Sequence, residues 1–152
     1  MLQVALIYPQ IPPNTGNIAR TCAATHTPLH LVEPLGFQLS DRYLKRAGLD
    51  YWEFVRLIVH PDLKHLRQAA GDARWICFDT TGTENFYKFQ FQPNDWLLFG
   101  SEPDGLPPEL LEGDYPTVYI PMPETRVRSL NLSVSAALGL FEARRQLGLD
   151  LD

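Results

Sequence analysis

The sequence predicts an α/β fold, a mostly parallel sheet covered by helices. Three observations carry that expectation. Short, nearly continuous apolar runs recur along the chain, as strands buried on both faces require. Stretches with helical spacing separate them. The last such stretch carries an apolar stripe at three- and four-residue spacing, which a helix lays against a partner surface.

Taken in order, Val4-Ala5-Leu6-Ile7-Tyr8 is the first strand, ended by Pro9. A helix is expected from Asn17 to Thr25, then a strand at Leu29-His30-Leu31-Val32 before Glu33-Pro34. Asp41 to Ala47 supplies a second helix, and Phe54 to Val59 offers a further strand. Leu63 to Ala70 is helical and Arg74-Trp75-Ile76-Cys77-Phe78 extended. Trp96-Leu97-Leu98-Phe99 gives another strand, Pro108 to Leu111 a short helix, and Thr117-Val118-Tyr119-Ile120 the last strand. In the closing helix, Asn131 to Leu147, the residues Leu130, Val134, Ala137, Leu138 and Phe141 form one stripe. Asn131 or Ser133 can cap its start. Its small residues allow close approach of a sheet or a second helix, offsetting the roughly 1 kcal/mol that Gly139 costs in helix propensity. Leu147-Gly148 is a helix stop.

A chain of 152 residues predicts one domain, 1–152, with a sizeable core. Its 45% hydrophobic and 20% charged residues exclude a disordered or fibrous class. The N-terminus has no charged region before its apolar run, and no apolar stretch approaches the roughly 20 residues of a membrane span. Neither a signal peptide nor a span is expected, which predicts a cytoplasmic protein. Cys22 and Cys77 lie far apart without metal spacing, and His26, His30, His60 and His65 lack a ligand pattern. Reduced thiols and no metal are expected, with His30 a hydrogen-bonded strand residue.

The net charge of -5 argues against coating nucleic acid by bulk attraction. Between Pro93 and Tyr115 there are six acids and no Lys or Arg, whereas Arg42, Lys45 and Arg46 cluster on one short segment. Any RNA contact is therefore local. That segment reads either as a solvated helix face or as a phosphate contact.

Parallel sheets present sites at the C-terminal ends of their strands, so the loops there hold the candidate chemistry. The first runs from Pro9 to Arg20. Its prolines stiffen the approach, Gly16 permits a tight conformation, and Asn14 or Asn17 can cap helical amides. It is either a structural cap with a surface Arg20 or a cradle for phosphate or ribose. The second, Phe99 to Pro107, has two glycines and two prolines around Glu102 and Asp104, without the ending of a Walker loop. It is either an ordinary strand-to-helix turn or a bend for a nucleoside. The third, Pro121 to Ser135, runs Arg126, Arg128, Ser129 and Asn131 into the last helix. No histidine near Ser129 makes it a nucleophile. Asp79 with Thr80-Thr81-Gly82 makes a further turn at the same edge.

Together these loops resemble the motifs of the knotted RNA 2'-O-methyltransferases, the SPOUT superfamily, and most closely the YibK-like group of small tRNA (cytidine/uridine-34)-2'-O-methyltransferases. Ile11 to Arg20 resembles the first motif, Phe99 to Pro107 the second and Arg128 to Ser135 the third. Glu33-Pro34-Leu35-Gly36-Phe37 and Ala47-Gly48-Leu49-Asp50-Tyr51 also fit. The resemblance implies a deep C-terminal trefoil knot, S-adenosylmethionine as methyl donor, the tRNA anticodon loop as partner and a homodimer whose subunits complete each site. It implies catalytic roles for Asn14, Arg20, Glu102, Ser129 and Asn131. It places cofactor contacts at Thr80, Thr81 and Gly82; at Phe99, Gly100, Ser101, Glu102 and Gly105; and at Ile120, Pro121, Met122, Ser129 and Leu130. RNA contacts fall on Arg42, Lys45, Arg46, Arg126 and Arg128. Relatives commonly read Pro-Glu-Thr-Arg-Gly where this chain has Ser101-Glu102-Pro103-Asp104-Gly105, and often carry tyrosine where it has Phe141. A noncatalytic RNA-binding protein of the same fold, or a methyltransferase acting on another RNA, is the alternative.

Overall fold

The computed structural model describes residues 1–151. In chain order it contains β1 (Gln3–Ile7), α1 (Pro12–Ala24), β2 (Leu29–Val32), α2 (Arg42–Gly48), a 3₁₀ segment (Leu49–Phe54), β3 (Leu57–His60) and α3 (Leu63–Ala70). There follow β4 (Trp75–Phe78), β5 (Glu84–Asn85), β6 (Trp96–Phe99), α4 (Pro108–Leu111), β7 (Thr117–Tyr119) and α5 (Leu132–Gln146). The strands form one sheet in the order β3-β2-β1-β6-β4-β7-β5, and every pairing is parallel. The chain starts mid-sheet, builds outward through β2 and β3, then returns to fill the other half. Strand order therefore reverses between β1 and β6, and loops leaving these two strands diverge around a crevice.

Because side chains alternate along a strand, each run of apolar residues feeds two cores. On one face Val4, Leu6, Leu31, Leu97 and Phe99 meet Ile18 and Cys22 of α1 and Ala136, Leu140 and Ala143 of α5. On the other, Ala5, Ile7, Val32, Cys77 and Leu98 meet Leu66 of α3 and Leu110 of α4. Each fully buried leucine or isoleucine there contributes about 1.5–3 kcal/mol. Gly139 brings α5 down onto the sheet, since a Cβ at this position would lie 2.8 Å from the Phe78 ring. Cys22 and Cys77 are buried free thiols, and burial pushes each up to about 12, with the Asp79 carboxylate adding to the effect at Cys77. No helix among the described residues is long and apolar enough to cross a membrane.

His30 is hydrogen-bonded within the sheet, as expected of a strand residue. Its Nε2 lies 2.8 Å from Gln3 Oε1 and its Nδ1 2.9 Å from His60 Nε2. An amide oxygen only accepts, so His30 donates from Nε2 and accepts at Nδ1 from His60. Trp96 packs on the same ring at 4.3 Å between centroids.

Three expectations need correction, and one observed strand has no counterpart among them. The first helix begins at Pro12 rather than Asn17, with prolines at its first two positions, and neither Asn14 nor Asn17 caps it. The 54–59 stretch splits, because Phe54 closes the 3₁₀ segment and the strand is Leu57–His60. The two-residue β5 has no apolar run to announce it. The stripe Val134, Leu138 and Phe141 on α5 is exposed at 47%, 39% and 50%, while the smaller Ala136, Gly139 and Ala143 face the core. Shape decides here, since α5 lies so close to the Phe78 and Phe99 rings that position 139 has no room for a side chain, and Leu140 is the one large residue of the helix that is fully buried. Asn131 caps α5 as expected, its Oδ1 accepting from Ser133 N and Val134 N at 2.8 and 3.3 Å.

Candidate active site

A cavity of about 730 Å³ opens at the C-terminal edge of the sheet, within the range of small-molecule sites. Phe78 and Phe99, the last residues of β4 and β6, form part of its wall. The loops leaving β1, β4, β6 and β7 close around it.

Glu102 organises the first two loops. Its Oε1 accepts from the backbone amide of Gln10 at 2.9 Å, and its Oε2 from that of Ile11 at 2.9 Å and from Asn14 Nδ2 at 3.2 Å. Pro12 and Pro13 carry no amide hydrogen and Ile11 has no side-chain acceptor, so the open donors at the entry to α1 are the amides of Gln10 and Ile11, and a carboxylate from the loop after β6 accepts both. Asn14 then spends its other atom on the third loop, its Oδ1 accepting from Asn131 Nδ2 at 3.0 Å. Glu102, Asn14 and Asn131 thus form one chain of hydrogen bonds across three separate loops. Asn131 Oδ1 accepts in addition from Ser133 Oγ at 2.5 Å, which orients the amide so that its Nδ2 meets Asn14.

The loop after β6 is a tight reversal. Ser101 and Gly105 exchange backbone hydrogen bonds at 3.1 and 2.9 Å, and Gly105 has φ of 69°, the left-handed region. A Cβ on Gly100 would lie 2.0 Å from the Gly105 carbonyl carbon. Asp79 ties the loop after β4 to this reversal, its Oδ2 accepting from Thr81 N and Oγ1 at 3.1 and 2.6 Å and its Oδ1 from Leu106 N at 3.3 Å.

The structure brings most sequence-predicted positions together. Asn14, Glu102, Ser129 and Asn131 all line the cavity. So do Thr80 and Thr81 after β4, Phe99, Gly100, Ser101 and Gly105 around β6, and Ile120, Met122 and Leu130 after β7, with Arg128 beside them. Gly82 and Pro121 lie outside the lining. Gly82 instead packs against the backbone of Val118, where a Cβ would meet a carbonyl carbon at 2.5 Å. Arg20 is also outside, its guanidinium carbon 4.8 Å from the Tyr51 ring centroid. Arg42, Lys45 and Arg46 are exposed on α2, and Arg126 is exposed and paired with Glu124. Ile11, Asp79, Leu132 and Ser135 line the cavity without having been singled out as contacts. Ser135 stands four residues after Asn131, on the same helical face, a spacing that could have found it.

The donor set fits a nucleoside-sized ligand with an apolar and a polar side. Ile120, Met122 and Leu130 supply the apolar wall, while Thr80, Thr81, Ser101, Glu102 and Asn131 supply the polar one. No cluster of His, Cys, Asp or Glu suited to a metal occurs among the described residues.

The chain is similar to known proteins over nearly its whole length. Residues 1–141 match the model of the SpoU rRNA Methylase family. A relative from Synechocystis sp. is 56% identical over 97% of both chains. The tRNA (cytidine(34)-2'-O)-methyltransferase of Burkholderia cenocepacia is 47% identical, over 99% of this chain and 98% of its own. A solved structure described as "Structural insights into the 2-OH methylation of C/U34 on tRNA" superposes with a TM-score of 0.94 at 48% identity, covering 97% of both chains. The SpoU methyltransferase AviRb from Streptomyces viridochromogenes, in complex with the cofactor AdoMet, gives a TM-score of 0.85 at 28% identity, over 97% of this chain and 58% of that one. With its parallel sheet, its three joined loops and a match over nearly its whole length, the chain belongs to the SpoU rRNA Methylase family.

Proposed function

We propose that the protein transfers a methyl group from S-adenosylmethionine to the ribose 2'-oxygen of nucleotide 34, cytidine or modified uridine, in the tRNA anticodon loop. The observation that carries this reading is the Glu102–Asn14–Asn131 chain beside a cavity of about 730 Å³. It joins the three motif-bearing loops at one place, in a chain whose near full-length relatives are named for this reaction.

S-adenosylmethionine supplies a methyl group already activated on a sulfonium. Alignment then dominates, because the hydroxyl is a poor nucleophile and gains most from being held in line. Thr80, Thr81, Phe99, Gly100, Ser101 and Gly105, with Gly82 supporting from behind, hold the cofactor on one side. Ile120, Pro121, Met122, Ser129 and Leu130 hold it on the other, Pro121 by shaping the turn between its neighbours. Asn14 and Asn131 fix the nucleotide. Glu102 accepts three hydrogen bonds and Asp79 likewise three, so both carboxylates serve position rather than proton transfer. Arg20 stays charged and stabilises the oxyanion or grips an adjacent phosphate. Proton loss goes to an RNA phosphate or to water.

Arg20 lies outside the cavity of its own chain, which supports a homodimer in which each subunit completes its partner's site. The exposed Val134, Leu138 and Phe141 face of α5 supplies apolar surface for that contact. The same reading includes a cytoplasmic, single-domain enzyme over residues 1–152, threaded as a deep C-terminal trefoil knot. Arg126 and Arg128 of the third loop join Arg42, Lys45 and Arg46 in holding RNA phosphates.

Incubation with labelled S-adenosylmethionine and unmodified tRNA, followed by mass-spectrometric mapping, tests the reading. Methyl on the 2'-oxygen of nucleotide 34 is expected. Methylation of a base, or cofactor binding with no transfer to any tRNA, defeats it.

A further inference from the structure

The α2 helix and the 3₁₀ segment carry open aromatic rings that this reaction leaves unexplained. Tyr43, Tyr51 and Phe54 are 49%, 40% and 64% exposed. They are three of the five exposed aromatic rings among the described residues, the others being Tyr87 and Phe141. The guanidinium carbon of Arg20 lies 4.8 Å from the Tyr51 centroid, and that of Arg42 4.8 Å from the Tyr43 centroid. Arg42 Nη2 also donates to Tyr43 Oη at 2.9 Å. Trp52 Nε1 donates to the Lys45 carbonyl at 3.0 Å, fastening the 3₁₀ segment to α2, and both elements pack on α1.

Arg20, Arg42, Lys45 and Arg46 have no carboxylate partner among the described residues, and Asp50 and Glu53 of the same segment pair with none of them. Unpaired cations interleaved with open rings suit a ligand carrying both negative charge and flat apolar faces. Unpaired bases of single-stranded RNA meet that description, since they stack on aromatic rings and arginine planes while phosphates meet the cations. A base-paired stem buries those faces. A second copy of this chain would bring the same cations against these. Arg20 heads this cluster and is the group that the reading above sets at the reacting oxygen or an adjacent phosphate, so the rings beside it stand within reach of the flanking nucleotides.

We infer that this face is a stacking surface for unpaired bases beside the methylated nucleotide, with Tyr43 and Tyr51 each receiving a base and Phe54 extending the surface. The inference rests on the tRNA reading above.

A stem-loop RNA carrying 2-aminopurine next to nucleotide 34 tests it. Wild-type protein is expected to quench the fluorescence. The double variant Tyr43→Leu/Tyr51→Leu is expected to lose the quenching and bind the RNA about tenfold more weakly. Its affinity for S-adenosylmethionine, its mass by light scattering and the salt slope of its RNA binding stay as in wild type, because no cation is removed. Tyr43→Phe/Tyr51→Phe keeps RNA affinity within about twofold, since the rings remain. If the leucine pair does not fold, Phe54→Leu and Tyr43→Leu are read singly in the same assay. Leucine variants that bind and quench like wild type overturn the inference, and so does a changed mass, which makes the face a subunit contact. Absence of methylation at ribose 34 by wild type sinks the tRNA reading separately, while quenching by the same RNA still decides the stacking.

Discussion

Asn131 donates from Nδ2 to Asn14 Oδ1 at 3.0 Å across 117 residues of sequence. That bond joins the first turn of α1 to the cap of α5, so the two ends of the chain meet at the candidate site.

Replacing either asparagine by alanine is expected to cost about 1 kcal/mol of stability, and somewhat more at Asn131, which also caps α5. A double-mutant cycle read by urea denaturation should give a coupling of about 0.5–1 kcal/mol. Additive losses would show that the bond is not formed in solution. Methyl transfer should fall in both single variants.

Glu102→Gln tests the cap of α1. Both carboxylate oxygens receive backbone amides, and an amide side chain must turn its NH2 toward one of them. Loss of a charged hydrogen bond at this site is worth about 1.5–3 kcal/mol. A urea midpoint equal to that of wild type would show that the helix start does not depend on Glu102.

Gly100→Ala forces a Cβ to within 2.0 Å of the Gly105 carbonyl carbon, so the 100–105 reversal must open. The expected result is a loss of about 1–3 kcal/mol in stability, as for other overpacked sites, together with weaker binding of S-adenosylmethionine by calorimetry. Unchanged cofactor affinity would remove the reversal from the binding site.

The His30–His60 pair gives the fold a dependence on pH. Burial, then the nearby His60 and Arg56, pushes His30 from its ordinary 6.5 down to about 4, and burial lowers His60 as well. The unfolded chain then binds more protons than the folded one through this window. The contribution is whole above pH 6.5 and is lost as pH falls toward 4. Protonation at His30 Nδ1 sets its new N–H against that of His60. Urea midpoints measured across this range should fall on acidification, and less steeply in His30→Gln. Parallel curves would move the origin of acid sensitivity elsewhere.

Arg42→Ala/Lys45→Ala should weaken tRNA binding most at low salt. Loss of two phosphate contacts reduces the slope of log affinity against log salt by about 1.4–1.8. An unaltered slope would show that α2 does not touch phosphate.

Much of the sheet is legible in the sequence because a strand buried on both faces leaves an unbroken apolar run. Val4 to Tyr8 and Trp96 to Phe99 are such runs; the second is the whole of its observed strand, and the first holds as far as Ile7, with Tyr8 turning out of the strand at φ of 58°. Glu84–Asn85 pairs only with β7 at the sheet edge and has no such run. The start of α1 was hidden for a different reason. Its capping acceptor is Glu102, 91 residues beyond Ile11, and no local pattern reports a partner that distant. On α5 the large residues misdirect, since Val134, Leu138 and Phe141 outweigh the small Ala136 and Gly139 in any hydrophobic pattern. The candidate site divides along the same line. Its loops announce themselves through Gly, Pro and Asn, whereas the hydrogen bonds that join them are set by the fold alone.

The order of synthesis has a bearing on when such a site can exist. The segment 129–135 supplies one wall of the cavity and, through Asn131, the only side chain that donates to Asn14 Oδ1 among the described residues. Until that segment has left the ribosome and α5 has docked, the earlier loops surround an open trough. The motifs of the first two loops therefore leave the ribosome well before the segment that closes the cavity over them.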